Sequence, residues 1–470
     1  IEFIGDTVYT NLPVGGAYRG YGATQAAFAM ECQMDEMAEA IGMDPIKFRQ
    51  MNHIKEGESS PIFKALGEGR EGVDMSIGSC GLDKCISEGM KRIDWAKKYG
   101  KPGTGTKRRG VGMCCLMQGS SIPEIDMGAV FIKMNEDGSF NLLLGATDLG
   151  TGSDTVMAQI AAETLGCRHT DILVYSSDTD MTPFDVGAYA SSTTYLSGGA
   201  VINCASKVRE QIVAVAADML GEKAQDITIE EGVCYGKGRK NSVTFGQICT
   251  YAMYEHKQFQ IGAIASHISH ASPPPFAAHF AEVEVDTETG EVKVLKYVAG
   301  VDCGNAINPQ LADAQTQGAA MNGISYAMTE EFIFSDNGRM LNPNFGNYKI
   351  FSTKDMPDIE TFLVPTYEKT GPYGAKSVSE ISINGALPAI SNAIKNAVGI
   401  RLTRPPFSAE KVLSALKEQA KSGKKASSAK VEARKKIEKT SKKTPVVAKA
   451  TKPAKAEKPA KQEKRNARRS

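Results

Sequence analysis

The chain is poor in several residues whose absence narrows its function. It has one tryptophan and 7% aromatic residues in a length of 470. No apolar run approaches the roughly 18 residues a membrane-spanning helix needs, which excludes a helical span. No stretch near the start reads as a signal peptide. The ten cysteines include no C-x-x-C pair; Cys80 and Cys85 are separated by four residues, and Cys114 adjoins Cys115. That spacing argues against structural zinc and iron–sulfur ligation. Buried thiols in a reducing, cytoplasmic compartment are the expectation instead. The six histidines form no H-E-x-x-H set, and His267 and His270 have no further ligand type beside them.

Charge is scarce only in the sum. The formal net charge is +1, yet 20 of the 55 basic residues and only 5 of the 54 acidic ones lie from Lys417 onward. An acidic body, large enough at 41% hydrophobic content to bury a substantial core, therefore carries a basic tail. Residues 419–470 are Lys-, Ala-, Pro- and Ser-rich without an aromatic, so burial cannot offset the ordering entropy and disorder is expected. Such a tail is either a solvated extension or a contact for nucleic acid or an acidic partner.

Local signals give an α+β reading. Gly42 closes a helix over 24–41, and Asp44-Pro45 opens another to about 52. Residues 54–80 read as loop and 81–98 as helix. The glycine-rich stretch 100–110 reads as a linker between a first subdomain, 1–105, and a second, 106–418. Asp137-Gly138 and Thr289-Gly290 mark two hairpins, over 128–145 and 280–302. Helices follow them at about 154–165 and 311–330, which suggests two related α+β units. The opening phrase IEFIGDTVYTN reads as strand-like, as though the chain began inside an element.

Five loops carry most of the chemistry. GAYRGYGATQ (16–25) offers Gly16, Ala17, a forked guanidinium at Arg19 and ring faces at Tyr18 and Tyr21. GATDLGTGSDT (145–155) places Gly150, Thr151 and Gly152 at a helix start, where N–H groups favour an anion. VGAYASSTTYLSGGA (186–200) presents Ala190 and a hydroxyl row, Ser191, Ser192, Thr193 and Thr194. DCGNAINPQLADAQTQG (302–318) carries Gln315, with Asn308-Pro309 as a helix opening. GPYGAKSVSE (371–380) delivers one carboxylate, Glu380, which suits a general base. Each loop alone also reads plainly: a surface Glu after a turn, a core aromatic, an N-capping cluster or a capped helix.

Taken in order, these loops and the segment IRLTRPPFSAEKVLSAL (400–416) resemble the C-terminal half of the molybdenum-binding subunit of the xanthine dehydrogenase/aldehyde oxidase family. The resemblance implies that family's molybdopterin-binding fold, with two related α/β subdomains. It implies a cofactor of molybdenum-molybdopterin in its cytosine dinucleotide form, gripped by the first four loops, with the metal held through the dithiolene rather than by side chains. Tyr21 becomes the platform on which a substrate ring stacks, where the family more often has Phe. Thr151 stands where the family often has Gln. Glu380 becomes the catalytic base in hydroxylation of an electron-poor carbon with oxygen from water.

Purine, xanthine or hypoxanthine, is the first substrate choice; nicotinate, another N-heterocycle or an aldehyde are the others. Electrons would leave through 2Fe-2S and FAD centres on partner subunits. The family's upstream GGGFGGK-type loop has no match, so an upstream half is expected in a separate chain or a preceding region. A reading of another class is a non-catalytic scaffold whose tail docks nucleic acid.

Overall fold

Capping residues set the helices of the first hundred positions in this computed structural model, which describes residues 5–67 and 70–422. α1 (Ala23–Ala40) is followed by Gly42 in the left-handed region at φ 67°. α2 (Pro45–Asn52) opens on Asp44, whose carboxylate accepts from the amides of Ile46 and Lys47. The loop over 54–80 contains one short helix, α3 (Ile62–Ala65). The helix expected over 81–98 is two pieces, α4 (Leu82–Arg92) and α5 (Trp95–Lys98), broken at Asp94 with φ 60°. Residues two apart do not share a helix face. The break lets both Ile93 and Trp95 enter the core, where Trp95 stacks on Tyr99 at 4.5 Å.

β1 (Lys107–Met117) follows a turn with Gly100, Gly103 and Gly105 at positive φ, where the linker was expected. The first expected hairpin is β2 (Met127–Met134) and β3 (Phe140–Leu144), turning through Gly138 at φ 88°. α6 (Ser153–Leu165) leads to β4 (Ile172–Ser176), parallel to β3. A long helix, α7 (Thr193–Leu220), comes next. A small sheet of β5 (Thr228–Glu230), β6 (Val233–Tyr235) and β7 (Ser242–Thr244) precedes α8 (Phe245–Tyr254). β8 (Gly262–Ile268) then pairs with β2 and completes the order β4-β3-β2-β8.

The second hairpin, β9 (Phe276–Asp286) and β10 (Val292–Asp302), turns at Gly290. α9 (Pro309–Met328), β11 (Asp358–Leu363) and α10 (Ala386–Val398) follow, and β11 lies parallel to β10. This sheet runs β1-β9-β10-β11. Both sheets thus have two antiparallel pairings and one parallel edge, built from hairpin, helix and returning strand. The expected kinship of two α+β units is visible in their topology. Each buries its own apolar core, one around Phe140, Leu142 and Val208, the other around Val283, Tyr297 and Ile390.

The described residues up to Leu416 form one compact unit; residues 417–422, in a second, are helical. The expectation of disorder beyond them lies outside the described residues.

α10 lies so close to β1 that glycine is required beneath it. A Cβ on Gly112 would stand 2.1 Å from the Ala393 amide nitrogen and 2.4 Å from the Ala389 carbonyl oxygen. Backbone cannot yield as a flexible side chain can, so Gly112→Ala should cost about 1–3 kcal/mol, as overpacking does. Denaturant unfolding checks this against Gly15→Ala, where nothing lies within 4 Å. Equal midpoints for the two variants would contradict the packing described.

Candidate active site

Glu380 is buried, at 8% exposure, and three distant segments donate to its carboxylate. Oε1 accepts from the Gly20 amide at 3.2 Å, and Oε2 from Ser191 Oγ at 3.0 Å and Gln118 Nε2 at 3.5 Å. Its own amide donates back to Ser191 Oγ at 3.0 Å. The surroundings are therefore hydrogen-bonding, and the surface alternative for Glu380 is excluded. The carboxylate lies on the wall of a cavity of about 1320 Å³, which Ala17, Tyr18, Arg19, Tyr21, Thr151, Ala190 and Gln315 also line.

The Gly20 amide reaches Glu380 because Gly20 sits at φ 91° with Asn384 Oδ1 only 2.6 Å from where a Cβ would be. Tyr21, at φ 34° and 72% exposed, presents its ring to the cavity. Tyr18 Oη accepts from Asn322 Nδ2 at 2.8 Å. Arg19, expected to face an anion, is turned instead to the loop of Glu380. Its Nε donates to the Ser379 carbonyl at 3.0 Å, and its Nη2 to Ser379 Oγ at 2.9 Å and Gln315 Oε1 at 3.0 Å. Burial lowers the Arg19 guanidinium from its usual range, and the nearby Glu380 opposes that shift. Gly16 has open space around it and lies outside the cavity lining.

In the second loop the amides of Gly150 and Gly152 donate to Asp148 Oδ1 at 2.9 and 3.1 Å. An internal carboxylate thus occupies the helix start where an outside anion was expected; Thr151, between them, faces the cavity. In the third loop Ala190 and Ser191 hold φ of 52° and 55°, a left-handed conformation that side chains pay to adopt. That strain aims Ser191 Oγ at Glu380. Ser192 is buried and donates to the Tyr189 carbonyl, so it serves the helix start. Thr193 and Thr194 line a second cavity of about 100 Å³ with Ser191, Thr151, Gln315, Asn305 and Asn308. Thr151 and Gln315 line both cavities, and Ser191 reaches Glu380 by its hydrogen bond.

Residues that sequence reasoning missed hold this site together. Gln118 follows β1, and its Oε1 accepts from Asn384 Nδ2 at 2.7 Å. Lys376 and Asp302 form a fully buried ion pair at 2.8 Å, four residues before Glu380. The Gly/Ser-rich phrase MQGSS (117–121) had the composition of the five loops, which was a usable signal. Asp302 and Lys376 were inside quoted loops, but nothing local told that they pair.

The donor set fits a metal carried on an organic ligand. Among the described residues no group of three or more His, Cys, Asp or Glu is placed to hold an ion. The smaller cavity instead offers hydroxyls and amides, and the buried Ser153 Oγ on its wall has no hydrogen-bond partner among the described residues, which leaves it open to a ligand atom or a water.

Comparison with known proteins agrees. Residues 88–357 match one molybdopterin cofactor-binding domain model and residues 1–53 another. The chain is 39% identical over 424 residues to the "Probable hypoxanthine oxidase XdhD" of Escherichia coli K12, covering 89% of this chain and 44% of that protein. It is 34% identical over 415 residues to the xanthine dehydrogenase molybdenum-binding subunit of Escherichia coli O157:H7, covering 86% and 54%. Quinoline 2-oxidoreductase from Pseudomonas putida 86 shares the fold, with a TM-score of 0.78 at 23% identity over 86% of this chain and 53% of that one. The chain thus spans about half the length of the curated relatives it matches. The matched domain models and the relatives at 39% and 34% identity make it a member of the molybdenum-binding subunits of the xanthine dehydrogenase/aldehyde oxidase family.

Proposed function

We propose that this chain forms the base-bearing part of a molybdenum hydroxylase, an oxidoreductase that oxidises a purine such as hypoxanthine or xanthine with oxygen from water. The observation that carries this reading is Glu380, buried, fixed by three donors and facing a cavity that the other four loops enclose. Thr151, Ser191, Thr193, Thr194 and Gln315 would hold a molybdopterin, in our reading the cytosine dinucleotide form, with Gly16, Ala17, Tyr18, Arg19, Gly150, Gly152, Ala190 and Ser192 shaping its loops. When bound, that cofactor supplies the electron acceptor and the water-derived oxygen.

Glu380 receives a proton at Oε1 or Oε2 while Tyr21 offers its ring to a planar substrate. Arg19 keeps Ser379, and with it Glu380, in place. Residues 1–105 would end a first molybdopterin-binding subdomain and 106–418 form the second, completed by an upstream half. Cytoplasmic 2Fe-2S and FAD subunits would take the electrons, since no donor set among the described residues suits a cluster. Purine is preferred because the relative at 39% identity is named for hypoxanthine. Other relatives are named for 6-hydroxypseudooxynicotine and for aldehydes, at 28% identity.

The test is co-expression with a chain supplying the upstream half, followed by molybdenum and pterin assay. Purines, nicotinate and aldehydes are then screened with a dye acceptor. Stoichiometric metal with turnover of hypoxanthine or xanthine is the expected result. Turnover of aldehydes alone would move the substrate class, and absence of molybdenum from every combination would overturn the proposal.

A further inference from the structure

Resting on that reading, we infer that Asn384 and Gln118 form a directed amide pair that positions the catalytic carboxylate, Asn384 orienting Gln118 and Gln118 holding Glu380 Oε2. Asn384 is 1% exposed, on the turn between Glu380 and α10, and its Nδ2 donates to Gln118 Oε1 at 2.7 Å. That bond decides which way the Gln118 amide points. With Oε1 occupied by Asn384, Nε2 faces Glu380 Oε2 at 3.5 Å.

The reverse orientation would set Gln118 Oε1 against a carboxylate oxygen, two acceptors with no proton between them. The orientation has a visible cost, because Asn384 Oδ1 is buried without a partner among the described residues. An unmet buried acceptor asks for an explanation, and the donor that the same amide supplies to Gln118 is one. Gln118 also lines the cavity, between Met117 and Gly119, so the pair reaches from behind the loop to the space where a substrate would sit.

The other holds on Glu380 act differently. The Gly20 amide takes Oε1, and Ser191 Oγ bonds both Oε2 and the Glu380 amide. Ser191 can rotate, since a hydroxyl both donates and accepts. Gln118 cannot rotate while Asn384 holds it. Removing either amide therefore loosens the same oxygen, leaving Ser191 Oγ as its remaining donor.

The experiment is a double-variant cycle on the full chain, with Gln118→Leu, Asn384→Ala and both together. Water-soluble carbodiimide labels carboxyl groups, and peptide mass spectrometry reads the rate at Glu380, with the buried Glu31 and Asp302 as internal controls. Expected is a several-fold faster labelling of Glu380 in each single variant, no further gain in the double, and controls that stay protected. In the co-expressed enzyme kcat should fall about 10- to 100-fold, the range of one hydrogen bond to a charged group, with KM little changed.

The single and double losses should again coincide, because one residue acts through the other. Labelling rates that multiply in the double variant overturn the inference, as do controls that open with Glu380 or Glu380 rates equal to the parent. The labelling result stands whether or not a hydroxylase activity is found, so failure here is separate from failure of the proposed function.

Discussion

Glu380→Gln lowers turnover of the assembled enzyme by about 10²–10⁴-fold, the range one positioned general base contributes. Gln keeps the shape and can still accept from the Gly20 amide, and its NH₂ can donate to Ser191 Oγ, while the long contact with Gln118 Nε2 is given up because two NH₂ groups then face each other. The substituted Gln cannot take up a proton. Loss should therefore appear in kcat, with molybdenum and pterin content and thermal midpoint close to the parent. KM for the substrate should hold, because Tyr21 and the rest of the cavity wall are untouched. Single-turnover reduction of the metal centre by substrate measures the step without the electron-transfer partners. Parental turnover in Glu380→Gln, with full metal loading, would remove Glu380 from the chemistry. Loss of metal together with activity would instead make Glu380 a structural residue of the cofactor pocket.

Much of the fold was legible because its signals are local. Asp137-Gly138 and Thr289-Gly290 fix hairpins through positive φ at glycine, and Asp44 and Asn308 cap α2 and α9 through bonds within three residues. The break at Asp94 was not legible. It follows from Ile93 and Trp95 both finding space in the core, which is tertiary information. The same division runs through the site. Glycine and hydroxyl composition flagged five loops, and the structure places residues of all five on two cavities that share wall residues.

What composition could not tell was where each polar group spends its bonds. Arg19 looked like an anion clamp and instead braces Ser379; the amides of Gly150 and Gly152 looked free and are held by Asp148. Gln118 is 262 residues from Glu380 and Asn384 is 266 from Gln118, so no window of sequence could reveal their alignment.

Lys376→Met destabilises the chain by about 3–5 kcal/mol, the cost of removing one partner from a buried ion pair. Both side chains of the Lys376–Asp302 pair are fully buried, with Nζ 2.8 Å from Oδ2. Asp302 does more than pair. Oδ2 also accepts from the Gly81 amide at 2.7 Å, and Oδ1 from the Gly304 amide at 2.9 Å and Thr366 Oγ1 at 2.6 Å. This sets it apart from pairs that apolar residues replace without loss. In Lys376→Met with Asp302→Leu, two backbone amides lose their acceptor, each unmet buried group costing about 1–3 kcal/mol. The double variant should therefore be no more stable than Lys376→Met alone.

The damage should also travel. Lys376 and Glu380 share one segment, pinned midway where the Ser377 amide donates to Ser120 Oγ at 3.1 Å and Ser377 Oγ to the Gly119 carbonyl at 2.8 Å. Denaturant unfolding gives the stabilities, and carbodiimide labelling of Glu380 reports the loop. A double variant that recovers parental stability would show that Asp302 serves only to neutralise Lys376. A loss below about 1 kcal/mol in Lys376→Met, the ordinary cost of a point change, would show that the pair does not anchor the Glu380 loop.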